Sequence, residues 1–193
     1  MRDDDWEFVE RLKAGEAAAF RELVERYKKR AYYIALDLMG NHEDAEDISQ
    51  EAFIKVYQSI GSFRGDAQFS SWLYRILVNL CMSEKRKKTS KNIEYYGDSI
   101  PEEIHHVDDS DSQDHPEAVV RSRRIQEHIR EALEKLPPKQ KAVFVLRHYQ
   151  QLPIKEIARV MKLSEGTVKS HLFRTVRKLR EFLEFYKADF GIE

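Results

Sequence analysis

Leu152-Pro153-Ile154-Lys155-Glu156-Ile157-Ala158-Arg159-Val160-Met161-Lys162-Leu163-Ser164-Glu165-Gly166-Thr167-Val168-Lys169-Ser170-His171-Leu172-Phe173-Arg174-Thr175-Val176-Arg177-Lys178-Leu179-Arg180 decides how the chain is read. A short amphipathic segment, a polar break and a long basic segment follow one another. Val168, Leu172, Val176, Leu179 and Leu183 recur at spacings of 4, 4, 3 and 4, one apolar stripe along a helix. At about 100° per residue, Ser170, Arg174 and Arg177 fall opposite that stripe, with Lys169 and His171 on its flanks. Ser164 stands where an N-cap belongs. Ile154, Ile157, Ala158 and Met161 give the preceding helix its inner side. The pattern predicts a helix-turn-helix whose second helix packs on one side and offers guanidinium, ammonium and hydroxyl groups on the other. Arg pairs bidentately with guanine in the major groove, and Ser is a tolerant donor or acceptor. An amphipathic hairpin with a solvated basic face would show the same stripe, so the distribution of charge has to separate the two.

That distribution is uneven. The whole chain carries 33 basic and 34 acidic residues. Residues 1–90 have a net charge of −1, residues 91–118 of −8 and residues 119–193 of +8. A basic C-terminal segment carrying a helix-turn-helix is the electrostatic footprint of a nucleic-acid binder. The acidic stretch between two balanced or basic parts reads as a solvated spacer. It runs from about Lys91 to Pro116 and is too polar to bury a core. His105, His106 and His115 lie among its acids, but their spacing matches no common metal-binding motif.

With 193 residues the chain has room for one or two domains. Only 7 Gly and 5 Pro interrupt long apolar stripes of helical period, and no stretch alternates like a strand. The expected fold is all-α: two small helical domains, residues 1–90 and 119–193, joined by an acidic flexible linker, residues 91–118. One cysteine excludes an intramolecular disulfide. No apolar run is long enough to span a membrane, and Met1-Arg2-Asp3-Asp4-Asp5 is no signal peptide, so the expected compartment is the cytoplasm. No phosphate-binding Gly loop, metal-ligand cluster or nucleophile motif is present, so neither enzyme activity, cofactor nor metal is expected.

Three stretches of the N-terminal half carry information. Phe20, Leu23, Val24, Tyr27, Ala31, Ile34, Ala35 and Leu38 form a core stripe that ends at Gly40-Asn41. In Glu43 to Tyr57, Ala45, Ile48, Ala52, Val56 and Ile60 form the inner stripe, while Asp44, Asp47 and Glu51 share another face. Five acids within nine residues, with no base among them, exceed what a helix N-terminus needs. They read either as a solvated face or as a dock for a basic partner. In the third stretch Phe69, Leu73, Ile76, Leu77 and Leu80 are core, and Trp72, Arg75, Asn79, Met82 and Arg86 form a second ridge that runs into Lys85–Lys88. Rings, an amide and cations on one ridge suit single-stranded DNA, with bases stacked on rings and cations on the backbone. The Phe63 loop, given flexibility by Gly65, can hold an extruded base. Alternatively, Phe63 and Trp72 are simply core. Cys81 reads as a small buried hydrophobe.

With these motifs in order, the chain resembles the group IV (extracytoplasmic-function, ECF) sigma factors of bacterial RNA polymerase over nearly its whole length. Asp44-Ala45-Glu46-Asp47-Ile48-Ser49-Gln50-Glu51-Ala52-Phe53 resembles the family's polymerase-clamp-binding segment. Phe63-Arg64-Gly65 through Phe69-Ser70-Ser71-Trp72-Leu73-Tyr74-Arg75-Ile76 resembles its promoter-melting segment, and Val78-Asn79 to Lys88 its −10 reader. Gly166-Thr167-Val168-Lys169-Ser170 and Arg174 resemble its −35 reader. His171 departs from the Arg frequent there, and the linker is long and acidic.

The resemblance implies that Asp44, Asp47, Gln50 and Glu51 bind the clamp of the largest polymerase subunit, and that the flap of the second-largest subunit is a further partner surface. It implies that Phe63, Arg64, Trp72, Arg75, Asn79, Lys85 and Arg86 capture the −10 element as single strand. It assigns Thr167, Lys169, Ser170, His171, Arg174, Arg177 and Lys178 to the duplex −35 element. It also implies an anti-sigma factor as a further partner, no insertion into a membrane, and a linker that mimics the charge of nascent RNA. A free-standing helix-turn-helix regulator is the alternative. It would share the C-terminal half, but would need a sensing or dimerising domain in place of the acidic face and the ridge.

Overall fold

A computed structural model describes residues 5–95, 128–129, 131–182 and 184. The acidic run from Asp98 to Asp114, His105, His106, His115 and Leu183 lie outside these residues. Helix α1 (Trp6–Lys13) is followed by α2 (Ala17–Met39), α3 (His42–Ser59), a 3-10 turn (Ile60–Ser62) and α4 (Phe69–Tyr95). The C-terminal half holds α5 (Pro138–Phe144), a π-helical turn (Val145–Tyr149), α6 (Ile154–Met161) and α7 (Glu165–Phe182). There is no strand among the described residues. The all-α expectation holds. Helix α4 runs on to Tyr95, so the first five residues assigned to the linker are helical instead.

Local chemistry sets the breaks between helices. Helix α2 ends at Gly40, whose φ of +88° is open to glycine, and the Gly40 N–H returns to Leu36 O at 2.8 Å. Asn41 then caps α3 by accepting the Asp44 N–H at 2.9 Å. Between α6 and α7 the chain turns at Lys162, with φ +52°, and the Leu163 N–H donates to Ala158 O at 2.9 Å. Ser164 caps α7 as expected, accepting the Thr167 N–H at 3.1 Å.

Most of the apolar stripes close into one core, while Ala132, Leu133, Leu136, Phe144 and Leu179 form a second, smaller cluster. Leu23, Ile34 and Leu38 of α2 meet Ala45, Ile48, Ala52 and Val56 of α3 and Phe69, Leu73 and Leu77 of α4. The same cluster continues through Val143, Val145, Leu146, Leu152, Ile157, Val160 and Val168, so the two halves share it. Each fully buried Leu, Ile or Phe contributes roughly 1.5–3 kcal/mol. An exposed ion pair contributes about 0–1 kcal/mol. The stripes, not the many surface charges, hold the helices together.

The stripe of α7 needs one correction. Val168, Thr175 and Leu179 are buried, with Leu172 half-buried beside them, and Val176 is exposed. Thr175 lies seven residues after Val168 and four before Leu179, which keeps it in line with both. Val176 is turned about 100° away. A hydrophobicity pattern selects valine over threonine; the packing selects the position.

A buried charge cluster links the halves. Lys141 is 3% exposed, donates to Leu38 O at 2.9 Å and pairs with Glu134. Glu134 also accepts from Lys85 Nζ on α4 at 3.0 Å. Burial pushes the Lys141 ammonium down to about 8; Lys85 adds to that push and Glu134 opposes it. A lowered pKa means that the unfolded chain binds more protons between about 8 and the free-lysine value of 10.5, so this group's contribution to stability rises across that window. Lys141→Met should flatten that rise, because it removes the group that titrates across the window. Glu134→Ala should destabilise by up to about 3 kcal/mol, the low end for breaking a buried pair, because Glu134 is partly open to solvent. Urea unfolding of both variants near pH 7 and pH 10 measures this.

Candidate nucleic-acid interface

Helix α3 buries Ala45, Ile48, Ala52 and Val56 and leaves Asp47, Gln50 and Glu51 exposed. Asp44 differs from them. Its carboxylate accepts from Lys88 Nζ at 2.5 Å and from Asn41 Nδ2 at 2.7 Å. Burial works to raise its pKa, but the hydrogen bonds from Lys88 and Asn41 outweigh it and leave Asp44 below its ordinary value. Asp44 is thus already engaged within the fold. Ile54 and Tyr57 were not singled out in the sequence, yet each is 55% exposed on the same helix. Ile54, Asp47 and Glu51 fall within about 60° of one another. The signal was available, since both residues lie off the inner stripe.

The loop before α4 sits against the start of α1, at Trp6. Phe63 is 6% exposed and Trp72 9%. Their ring centroids are 5.0 Å apart, and Phe63 also meets Phe69 at 6.1 Å and Trp6 at 6.4 Å. In this structure both rings are mostly buried, though each borders a cleft. Arg64, Asp66, Ala67 and Gln68 line a cleft of ≈ 660 Å³ beside Phe63. Gly65 has φ +77°, and a Cβ there would lie 2.8 Å from Trp6 Cη2 and closer still to Cζ3. Its glycine thus serves close approach to an indole in a left-handed conformation, rather than flexibility.

Further along α4, Arg75, Met82 and Lys85 are half-buried, and Asn79 and Arg86 are exposed. Asn79, Met82, Lys85 and Arg86 line a larger cleft of ≈ 1220 Å³. Its other wall is C-terminal: Pro137, Pro138, Lys139, Lys141, Met161 and His171. The cleft at the Phe63 loop is likewise faced by Lys155, Glu156 and Arg159 of α6. Direct bonds cross between the halves as well. Ser71 Oγ donates to Glu156 Oε1 at 2.8 Å, and Arg30 Nη2 donates to Gln150 O at 2.6 Å.

On α7, Lys169, Ser170, Arg174 and Arg177 are exposed, and Arg177 lies 3.6 Å from Glu181. Thr167 and Lys178 are half-buried. The Thr167 hydroxyl is 2.8 Å from the Ser164 hydroxyl, so it shares in the cap. His171 faces the cleft toward Asn79. Burial, with Arg174 and Lys139 nearby, lowers its pKa, which leaves a neutral ring at pH 7. Phe173, 71% exposed, and Val176 give the flank opposite His171 an apolar character.

The comparisons with known proteins agree with this layout. The family model for Sigma-70 region 2 matches residues 23–91, and that for Sigma-70, region 4 matches residues 126–179. The ECF RNA polymerase sigma factor SigW of Bacillus subtilis is 34% identical over 182 residues, covering 91% of this chain and 94% of that one. The ECF RNA polymerase sigma-E factor of Escherichia coli K12 is 33% identical over 175 residues, covering 88% and 89%. In fold, the chain is similar to the sigma factor RpoE from Bartonella quintana, solved in complex with the anti-sigma factor NepR (TM-score 0.68, 23% identity, 86% of this chain and 96% of that one). It is equally similar to CnrH, solved in complex with the cytosolic domain of CnrY (TM-score 0.68, 22% identity, 94% and 98%). The chain belongs to the ECF RNA polymerase sigma factors: it binds core RNA polymerase and directs it to promoters for transcription initiation. The free-standing regulator is thereby set aside. No helix among the described residues is long and apolar enough to cross a membrane.

Proposed function

We propose that residues 1–90 dock on the polymerase and take the −10 element, that residues 119–193 read the −35 element, and that residues 91–118 connect them. The observation supporting this most is the division of labour on α3. Its inner stripe is buried, while Asp47, Gln50, Glu51 and Ile54 stand together in solvent. Acids supply attraction to a basic clamp, and Ile54 supplies apolar area at the centre of the patch. Asp44 is the weaker member of the set, because Lys88 already neutralises it. Exposed Phe173 and Val176 suit the flap as an apolar partner.

On α7, Ser170 and Arg174 are the base readers, and Arg177 and Lys178 hold phosphate. Neutral His171 belongs to the edge of that surface, offering a ring nitrogen rather than a charge. On α4, Asn79, Lys85 and Arg86 take the unpaired strand, and the polar wall of the Phe63 loop receives an extruded base. The protein performs no bond chemistry of its own. Binding energy gained on the open strand offsets unstacking, so recognition and melting form one step. Work of this kind belongs in the bacterial cytoplasm with the polymerase. RpoE was solved with the anti-sigma factor NepR, and we extend that class of partner to this chain.

The arrangement in the structure adds a condition. The Phe63 loop and the cleft side of the ridge face the C-terminal half, so capture of the strand over the whole −10 surface requires the halves to separate, although Asn79 and Arg86 already stand in solvent. Arg30→Cys with Gln150→Cys, an accessible pair that already bridges the halves and is joined by a short bis-maleimide, should abolish open-complex formation and spare folding. The native Cys81 does not interfere, because burial pushes its thiol up to about 12. Run-off transcription before and after joining measures this, and full activity of the joined protein would refute the condition.

Docking is tested separately. Asp47→Lys with Glu51→Lys should weaken co-purification with core polymerase at least tenfold and leave circular dichroism unchanged, since both side chains are exposed. Duplex reading gives a third test. Arg174→Ala should relax discrimination at one or two base pairs by about 1–3 kcal/mol, whereas Arg177→Ala should weaken all sequences alike and reduce the salt dependence. Quantitative binding to promoter variants at two salt concentrations tells these apart.

A further inference from the structure

We infer that Trp6 is a positioning residue for promoter melting: its indole holds the Phe63–Gln68 loop in the shape that receives an unpaired base. The inference rests on the proposed role of that loop.

Helix α1 is attached to the body of the protein at its very start. Asp5 is 1% exposed and accepts from Arg26 Nη1 at 2.5 Å and from the Tyr27 hydroxyl, both on α2. Val9 and Leu12 bury the next turns of α1. Trp6 follows Asp5 directly, so its backbone is fixed from both sides. Its six-membered ring lies against Gly65 so closely that no β-carbon fits between them. Lys13 Nζ sits 5.0 Å from the Trp6 ring, which restrains the indole further. Trp6 lines the same cleft as Arg64, Asp66, Ala67 and Gln68.

These contacts have a purpose that packing alone does not explain. Gly65 is held at a positive φ in a loop with no regular hydrogen bonding, between the 3-10 turn and α4. A loop free to sample other shapes would lose conformational entropy on taking a base, and that loss would weaken capture. The Trp6 ring removes this cost beforehand by restraining the one residue of the loop with the widest conformational range. Phe63 anchors the loop from below, within the core, and Trp6 anchors it from the N-terminal side.

The test uses the full chain with core polymerase, on a promoter found by run-off transcription. Trp6→Ala should slow bubble opening, read by permanganate reactivity of unpaired thymines, by about tenfold, the order of one lost stacking contact. Binding to core polymerase and to −35 duplex should stay within twofold. Trp6→Phe keeps a ring over Gly65 and should retain opening within about threefold. Gly65→Ala should reproduce the Trp6→Ala defect, and combining the two should add little, because both remove the same contact. A pre-melted bubble should partly rescue all three defective variants. Arg64→Ala and Gln68→Ala report on the loop itself. If they slow opening while Trp6→Ala does not, the loop reading stands and the role of Trp6 is overturned. If neither loop variant nor Trp6→Ala has an effect, both are overturned. An equal loss of polymerase binding in Trp6→Ala would show a structural role only and would likewise overturn it.

Discussion

The rest of the molecule depends on how α4 is buried. Phe69, Leu73 and Leu77 form the expected stripe, but Trp72, Tyr74, Val78 and Cys81 are buried as well. A helix with one neighbour hides one stripe. Helix α4 packs against α2, α3 and α6, so its N-terminal half is enclosed on more than one side. Toward its C-terminal end those neighbours fall away, and Asn79, Arg86, Lys87 and Lys88 emerge. The position of a residue along α4 therefore decides whether it can touch DNA as the structure stands.

This explains which parts of the site were legible in the sequence. Period alone placed the inner stripes of α3 and α4 and the N-cap Ser164, because each depends on local spacing. Family resemblance supplied the order of the surfaces. The state of Phe63 and Trp72 was not legible, since an aromatic residue looks the same in a core and on a nucleic-acid ridge. Tertiary context from α1 decided that question by bringing Trp6 over the loop. The same limit applies to Thr175: a pattern search counts methyl groups and passes over a threonine that the helix axis turns inward. The partnership of Asp44 with Lys88 joins residues 44 apart, and nothing in either segment announces it.

Charge acts differently at the different surfaces. On α3, Asp44 apart, and on α7 the charged groups are largely solvated, so they steer encounter and lose strength with salt. Between the halves they are enclosed. Lys141 is held by Glu134 and a helix-end carbonyl, and Lys85 is shared between that cluster and the −10 ridge. A lysine that pairs with Glu134 cannot hold a phosphate at the same time. On the proposed roles, strand capture and the bridge between the halves compete for Lys85.

The competition gives an order to events. Asp47, Gln50, Glu51 and Ile54 are in solvent with the halves together, whereas the loop and the ridge face α6 and the α5 region. On the proposed roles, polymerase can therefore dock through α3 on the closed arrangement, whereas the Phe63 loop and the cleft side of the ridge are covered by the C-terminal half. A ligand shifts a two-state equilibrium only by its differential affinity for the two states. Docking through α3 alone makes the same contacts in both states and leaves the equilibrium where it was. The flap and the −35 duplex are the ligands that can move it, provided they bind α7 better when it has left the cleft. On its proposed −35 role, His171, on the cleft side of α7, is the residue over which DNA and the closed arrangement compete, because one imidazole edge cannot face both.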